Sequence, residues 1–190
     1  MENNHKLWNE QQRALRIALG RTEQSNKSIE LFLTQHAMVH AADMSGMEQW
    51  SFEGEIWENL DNETARHIPP KFDHSIVWCF WHATRCEDIT MNMLIAGASQ
   101  LLLRDNWQKQ LNVAARDTGN AMDAGEMVDF NAWIDIPALR AYRLSVGQCT
   151  REIVKTLQPG EFKCKVDPVR LQQVLAEEAV LASQQWLIDY

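Results

Sequence analysis

Apolar residues recur along the first half of the chain at spacings that predict long helices. One helix is predicted over residues 5–19 and ends at Gly20. A second is predicted over 27–48, where apolar side chains return every three or four positions. A third is predicted over 74–96, because two prolines shortly before it interrupt any helix that arrives from the N-terminal side.

Two further helices are predicted from the residues that begin them. Asp135 is a good N-cap and Pro137 suits a first helical turn, so a fourth helix is predicted from there to about residue 157. Asp167, followed directly by proline, predicts a fifth helix that continues to residue 190.

The connection between the third and fourth helices is long, over residues 97–134, and holds short helical pieces such as MDAGEMVDF. No segment alternates apolar and polar residues as a strand would. The pattern therefore predicts one all-α domain over residues 1–190, a four-helix bundle with one long crossover. Bundles of this kind often build a binding site in the core from side chains on facing helices.

Composition and charge narrow the class of protein. A net charge of −8 argues against binding along nucleic-acid backbones, which needs clustered cations. No apolar run is long enough for a transmembrane helix, and the N-terminal residues lack the apolar core of a secretion signal. We therefore expect a cytoplasmic protein that does not bind membranes. Its four cysteines form no CxxC pair and are expected to be free, buried thiols.

Two histidines and an acid interrupt the apolar stripe of the second predicted helix. At about 100° per residue, His40 and Asp43 fall within about 40° of His36, on the face that also carries Phe32. Two imidazoles four residues apart on a helix can bind one metal ion, with a third ligand from a facing helix. His82 is the candidate for that third ligand. The alternative is that these histidines are hydrogen-bonded residues of the core.

The segment WCFWHATRCEDITMN surrounds His82 with aromatic residues and ends in acids. A helical projection places Trp78 and Cys86 on the face of His82, and it turns Glu87 and Asp88 away from that face. A histidine–carboxylate pair within the segment is therefore geometrically poor. His82 is expected to face inward, so its role depends on the groups that meet it there.

Other charged residues near this segment have two interpretations. Arg85 borders the apolar stripe, and its pairing with Asp88 is expected to be a rim interaction of little energetic weight. A cluster on the fourth helix can hold an anionic substrate, although a solvated face is the favoured interpretation; its members are Arg140, Tyr142, Arg143 and Arg151. The candidate pocket residues are Trp78, Trp81, Arg85, Cys86 and Asp43.

The segment SIVWCFWHATRCEDITMNMLIAG resembles a helix motif of the DinB-like superfamily, the DNA-damage-inducible, metal-binding helical bundles of bacteria. Further stretches carry the likeness over most of the chain: DNWQKQLNV, DTGNAMDAGEMVDF, LRAYRLSVGQCTREIV and the closing WLIDY. The resemblance implies a four-helix bundle with a long crossover. It also implies three histidines that bind a divalent metal, nickel or zinc, and His82 matches the first of them.

The other two histidines of that family usually form an HxxxH pair on a late helix, and the sequence departs from this pattern. The last predicted helix, 167–190, contains no histidine. Three explanations stay open: the chain is truncated at its C-terminus, this member has lost the site, or His36 and His40 replace the late pair.

The resemblance leads to two hypotheses about function. The first is a thiol-dependent transferase or isomerase, in which a metal at His82 makes a thiolate from a low-molecular-weight thiol. The second is a non-catalytic, stress-associated bundle that binds a small molecule or forms a homodimer. The high content of tryptophan and methionine suits an apolar cavity or a subunit interface, and the fold by itself does not separate the two hypotheses.

Overall fold

A computed structural model describes residues 2–46 and 50–189 of the chain, and all regular secondary structure in these residues is helical. The all-α class is therefore confirmed for the described residues. The α-helices, in chain order, are α1 (Glu2–Leu19), α2 (Ser25–Val39), α3 (Phe52–Trp57), α4 (Asn62–Arg66), α5 (Ile76–Asp88), α6 (Leu101–Arg104), α7 (Trp107–Leu111), α8 (Ala124–Trp133), α9 (Ile136–Thr156) and α10 (Pro168–Ala176).

Shorter helical segments of other types join these elements. A π-helix, Ile89–Ile95, continues α5 directly. The 3-10 segments are Thr22–Gln24, Ala42–Ser45, Glu161–Lys163 and Ala182–Leu187. The predicted crossover is thus a chain of short helices, α6 to α8, and the prediction of helical pieces within it is confirmed.

The helix starts predicted from capping residues are confirmed. The Asp135 carboxylate accepts a hydrogen bond from the backbone N–H of Ala138 at 2.8 Å, within the first turn of α9. The Asp167 carboxylate accepts one from the N–H of Val169 at 2.9 Å, and proline opens α10 behind it. Both carboxylates satisfy N–H groups that have no partner within the helix.

Two predicted helices end earlier than expected. The second was predicted over 27–48, but α2 ends at Val39, and residues 47 and 48 lie outside the described part of the chain. The fifth was predicted to reach residue 190, but α10 ends at Ala176. Glu178 follows with a φ of 55°, in the left-handed region, and a residue in that conformation ends a right-handed helix.

The chain divides into two compact units. Unit 1 consists of Met1–Glu58 and Arg151–Lys165, and unit 2 consists of Asn59–Thr150 and Val166–Tyr190. In unit 1, α1 packs against α2 and buries Leu15 and Ala18. The single domain and the four-helix bundle stay predictions.

In unit 2, α5 is held at its start by Ser75. The Ser75 hydroxyl accepts a hydrogen bond from the N–H of Trp78 at 3.0 Å and donates one to the amide oxygen of Asn131, on α8, at 2.6 Å. At the other end of α5, the π-helix packs against α10 in a cluster of Ile89, Met93, Val174, Ala179 and Val180. These contacts place α5 at the centre of unit 2.

Candidate functional site

In unit 1, His36 and His40 lie together at the C-terminal end of α2. Their ring centroids are 4.3 Å apart, and each ring offers a nitrogen within 4.8 Å of one on the other ring. Phe32 stacks on His36 at 5.4 Å, so one face of α2 carries a column of three rings at intervals of four residues. The exposed fraction is 8% for His36 and 0% for His40. The predicted burial of this face is confirmed for both.

Asp43 does not share the helical geometry of the pair. The projection that placed it beside His36 assumes a helix that continues past residue 40. The chain leaves α2 at His40, which has an extended backbone, and Asp43 is exposed in the 3-10 segment Ala42–Ser45. Of the three side chains predicted to share this face, α2 therefore positions the two imidazoles but not Asp43.

In unit 2, both ring nitrogens of His82 have neighbours. Nδ1 lies 2.9 Å from the carbonyl oxygen of Thr118, to which it can donate. Nε2 lies 3.6 Å from Sγ of Cys86, one helical turn onward. The Trp78 ring stacks on the imidazole with centroids 4.8 Å apart and planes 7° from parallel. The carbonyl thus favours a proton on Nδ1 and leaves Nε2 as an acceptor for the thiol.

His82 is half-buried rather than fully inward-facing, and Cys86 is half-buried beside it. Burial raises the pKa of the Cys86 thiol, and the positive charge of Arg85 opposes part of that rise. A thiol with a raised pKa is protonated at neutral pH, and a protonated thiol is a poor nucleophile. Cys86 is therefore a protonated thiol within hydrogen-bond distance of Nε2 of His82. All four cysteines are free as expected, but Cys79 and Cys164 are exposed rather than buried.

We expect Cys86 to react with iodoacetamide slowly at pH 8, with a pH profile displaced above that of an ordinary thiol. Alkylation proceeds through the thiolate, and a raised pKa lowers the thiolate fraction at every pH below it. Isotope-coded alkylation followed by peptide mass spectrometry measures the rate at each cysteine, with the exposed Cys164 as the internal reference. Labelling of Cys86 faster than Cys164 at pH 7 would contradict the raised pKa of the Cys86 thiol.

Arg85 is the centre of a buried polar cluster in unit 2. Its Nη1 donates to the carboxylate of Asp88 and to the hydroxyl of Tyr142, each at 2.7 Å. Its Nη2 donates to the side-chain oxygen of Gln100 and, at 2.6 Å, to the carbonyl of Arg116. The side chains of Arg85 and Asp88 are both 0% exposed. The pair exists, but its predicted place on the rim is wrong, and both terminal nitrogens of Arg85 have their hydrogen bonds within the protein.

Asp88 receives donors from several elements of unit 2. Besides Arg85, the Tyr142 hydroxyl donates to it at 2.5 Å and the Asn92 amide at 2.9 Å. The backbone N–H groups of Leu101 and Leu102 donate at 2.9 and 3.1 Å. Those two groups open α6, where N–H groups lack helical partners, so the carboxylate caps that helix from a distance in sequence. Burial raises the pKa of Tyr142 well above its usual value, so its hydroxyl stays protonated as the donor.

The favoured interpretation of the cluster on α9 as a solvated face is wrong for two of its members. Tyr142 and Arg143 are buried, and Arg143 donates to the hydroxyl of Thr84 at 3.3 Å. Arg140 is exposed. Arg151, at the part of α9 in unit 1, donates to the carbonyl of Leu33 at 2.8 Å. Arg143 and Arg151 thus contact neighbouring helices, and the four side chains do not share one exposed face.

A groove in unit 2 was not predicted as a site. Its volume is about 940 Å³, and it is lined by the loop 112–123, α7, one face of α8 and Leu181. On α8 the lining residues follow the spacing i, i+3, i+4, i+7: Glu126, Asp129, Phe130 and Trp133. That spacing was visible in the sequence, but the segment around it reads as a loop with a helix start.

Of the predicted pocket residues, Trp81 contacts the lining of the groove: its ring packs on Phe130 with centroids 5.7 Å apart. The Trp81 side chain itself is fully buried behind that lining. Trp78 is buried next to His82. The lining of the groove therefore comes mostly from the connection between α5 and α9.

Comparisons with protein-family models, with curated proteins and with solved structures gave no match for this chain. The DinB-like resemblance accordingly stays a prediction. In the described part of the chain, no helix has both the length and the apolar character needed to cross a membrane.

Proposed function

We propose that this chain is a metal-binding helical protein of the DinB-like class that acts as a thiol-dependent transferase or isomerase. One observation carries the proposal. The two imidazoles of His36 and His40 lie with ring nitrogens within 4.8 Å of each other, on the buried face of α2. Imidazole nitrogen is a preferred ligand of nickel and zinc, and two histidines four residues apart on a helix can share one ion.

The surroundings of the pair suit a ligand role. Phe32 stacks on His36 and limits the rotation of its ring, which lowers the entropy lost when an ion is bound. Burial excludes competing water from most of the pair. A divalent ion held there, when bound, lowers the pKa of a coordinated low-molecular-weight thiol and so supplies a thiolate at neutral pH.

His82 has the orientation that supports a metal-binding role of its own. Ligating histidines in proteins usually donate their second ring N–H to a carbonyl or carboxylate, which fixes the tautomer and the ring plane. The Nδ1 contact of His82 with the Thr118 carbonyl is of this kind, and a metal at Nε2 would take the place of the Cys86 thiol. The protonated state of Cys86 means that the thiol of the proposed reaction comes from a cosubstrate.

Metal binding tests the proposal directly. We expect purified chain, treated with chelator and dialysed, to bind Ni²⁺ or Zn²⁺ with one strong site. His36→Gln and His40→Gln are each expected to weaken binding by at least tenfold, because loss of even an indirect partner of a metal commonly costs 10–100-fold in affinity. Calorimetry gives the affinity, and a rise in melting temperature on adding metal gives an independent readout.

The matched control is His67→Gln, a substitution of an exposed histidine that leaves the pair untouched. Addition of a low-molecular-weight thiol to the Co²⁺-loaded protein is expected to produce a sulfur-to-cobalt absorption band that the pair variants lack. Folded wild-type protein that binds no metal, or binding that is equal in His36→Gln and His67→Gln, would support the non-catalytic bundle and overturn the proposal.

A further inference from the structure

The groove of unit 2 combines exposed aromatic surface with an excess of carboxylates. Its charged lining residues are Lys109, Asp117, Glu126 and Asp129, which gives one positive and three negative charges. Its volume of about 940 Å³ is in the range of small-molecule sites. Trp133 ends α8 and is 68% exposed, an unusual exposure for a residue with so large an apolar side chain.

The groove is supported by hydrogen bonds that hold its walls in place. The Asn112 amide donates to the carbonyl of Trp133 at 3.1 Å and ties the end of α7 to the end of α8. The Gln108 amide donates to the carbonyl of Ala114 at 2.7 Å. Phe130 is anchored from behind by Trp81. The aromatic side of the groove therefore rests on the core of unit 2.

The carboxylates keep acceptor capacity that faces no partner in the protein. Asp117 uses one oxygen to accept the N–H of Gly119 at 2.6 Å, and Glu126 uses one to accept the N–H of Asp123 at 2.9 Å. The Asp129 carboxylate makes no hydrogen bond or ion pair with any other residue in the ranges 2–46 and 50–189. Each of the three acids thus has at least one oxygen available to a ligand.

We propose that this groove binds an organic cation with an apolar body, such as a quaternary ammonium or a protonated aromatic amine. The electron-rich face of Trp133 attracts a cation, and Asp129, four residues before it on the same face of α8, supplies the opposite charge. Phe130 and the apolar lining bury the body of the ligand. An anion meets a net charge of −2 in the same groove and is disfavoured.

Benzyltrimethylammonium is the probe that tests this site. Titrated into ¹⁵N-labelled full-length chain, it is expected to shift the indole N–H resonance of Trp133, with a Kd on the order of 1 mM for so small a ligand. Trp133→Leu, which keeps the apolar bulk, is expected to weaken binding roughly two- to thirtyfold, the usual range for a cation–π contact. This variant lacks the Trp133 indole, so its affinity is read from the backbone amide resonances of α8. Asp129→Asn is expected to weaken it by up to about fivefold, as for an exposed charge pair.

Two control variants remove the same chemistry elsewhere in unit 2. Trp186→Leu removes another exposed tryptophan, and Asp73→Asn removes another exposed carboxylate. Both are expected to bind the probe as the wild-type chain does, and circular dichroism checks that all four variants are folded. The inference is overturned if benzoate binds as tightly as the cation, or if Trp133→Leu binds the cation with unchanged affinity. It is also overturned if about 10 mM benzyltrimethylammonium, tenfold above the expected Kd, does not shift the Trp133 resonance.

Discussion

An Asp88→Asn variant is expected to lose about 3–5 kcal/mol of the free energy of unfolding, measured by urea denaturation followed by circular dichroism. The carboxylate is fully buried against the equally buried guanidinium of Arg85. Removing the negative charge leaves the positive charge without its counter-ion in a region of low polarity, which is the most costly way to break such a pair. A loss of that size is a large part of the stability of an ordinary domain.

The loss extends beyond the ion pair because Asp88 accepts hydrogen bonds from backbone and side chains together. The N–H groups of Leu101 and Leu102 both donate to it at the start of α6. An asparagine amide has only one acceptor oxygen, and its NH2 group cannot accept the hydrogen bonds that the second carboxylate oxygen of Asp88 accepts. We therefore expect the start of α6 to exchange its amide hydrogens faster in this variant.

Two comparisons isolate the cause. Glu152→Gln breaks an ion pair with Lys155 whose side chains are 73% and 49% exposed, and it is expected to cost less than about 1 kcal/mol. Arg85→Met combined with Asp88→Leu removes both charges and is expected to be less destabilised than Asp88→Asn, since no charge is left unpaired. If Asp88→Asn costs no more than Glu152→Gln, the buried pair does not stabilise unit 2.

The same pair shows where the sequence misleads. The residues of α5 that are fully buried are Val77, Trp81, Thr84, Arg85 and Asp88. On a helical projection they centre at about −115° from His82. The buried surface of α5 therefore extends well beyond the predicted stripe, on which Trp78 is buried and His82 and Cys86 are half-buried. Arginine, aspartate and threonine on one stripe suggest a solvated face, because charged residues are almost never fully buried unless paired. The partners that allow their burial, above all Tyr142 and Gln100, come from distant parts of the chain.

Local signals predicted the helix starts well, and they predicted the ends of α1 and α9, but not those of α2 and α10. Asp135 and Asp167 are caps whose bonds lie within their own first turn, so neighbours in sequence determine them. The end of α10 depends instead on Glu178, a residue type with no preference for a left-handed backbone. The N–H of Ala179 donates to the carbonyl of Val174 at 3.0 Å and holds that turn against the core. Tertiary packing therefore decides the end of that helix.

The candidate sites differ in the same way. The His36–His40 pair could be predicted because both members lie on one helix, four residues apart, and local geometry brings them together. The groove depends on where α7 and α8 lie in unit 2, which helical periodicity does not determine. The contact of His82 with the Thr118 carbonyl likewise joins α5 to the crossover loop, 36 residues away in sequence.

That loop gives the second large expected effect: Gly119→Ala is expected to cost about 2–5 kcal/mol of the free energy of unfolding. Gly119 has a φ of 87°, which L side chains rarely adopt. A Cβ there would lie 2.8 Å from Nε1 of Trp78 and 3.4 Å from Nε1 of Trp81. Both indoles are buried and rigid, so neither can yield cheaply, and the loop must move instead. Urea denaturation measures the loss.

A moving loop also displaces the neighbouring carbonyl of Thr118, which orients His82. We therefore expect Gly119→Ala to change the ¹⁵N shifts of the His82 ring toward a mixture of tautomers, a result that a purely structural role for the glycine would not give. Two other glycines separate the contributions. A Cβ added at Gly46 has no atom within 4 Å, so Gly46→Ala carries only the backbone cost of its φ of 68°. A Cβ at Gly160 also has no atom within 4 Å, and its φ of −68° suits alanine, so Gly160→Ala carries neither cost. We expect Gly119→Ala to be the most destabilising, followed by Gly46→Ala and then Gly160→Ala. Equal costs for Gly119→Ala and Gly46→Ala would mean that the Trp78 ring moves to admit the methyl group and that the Thr118 carbonyl still contacts His82.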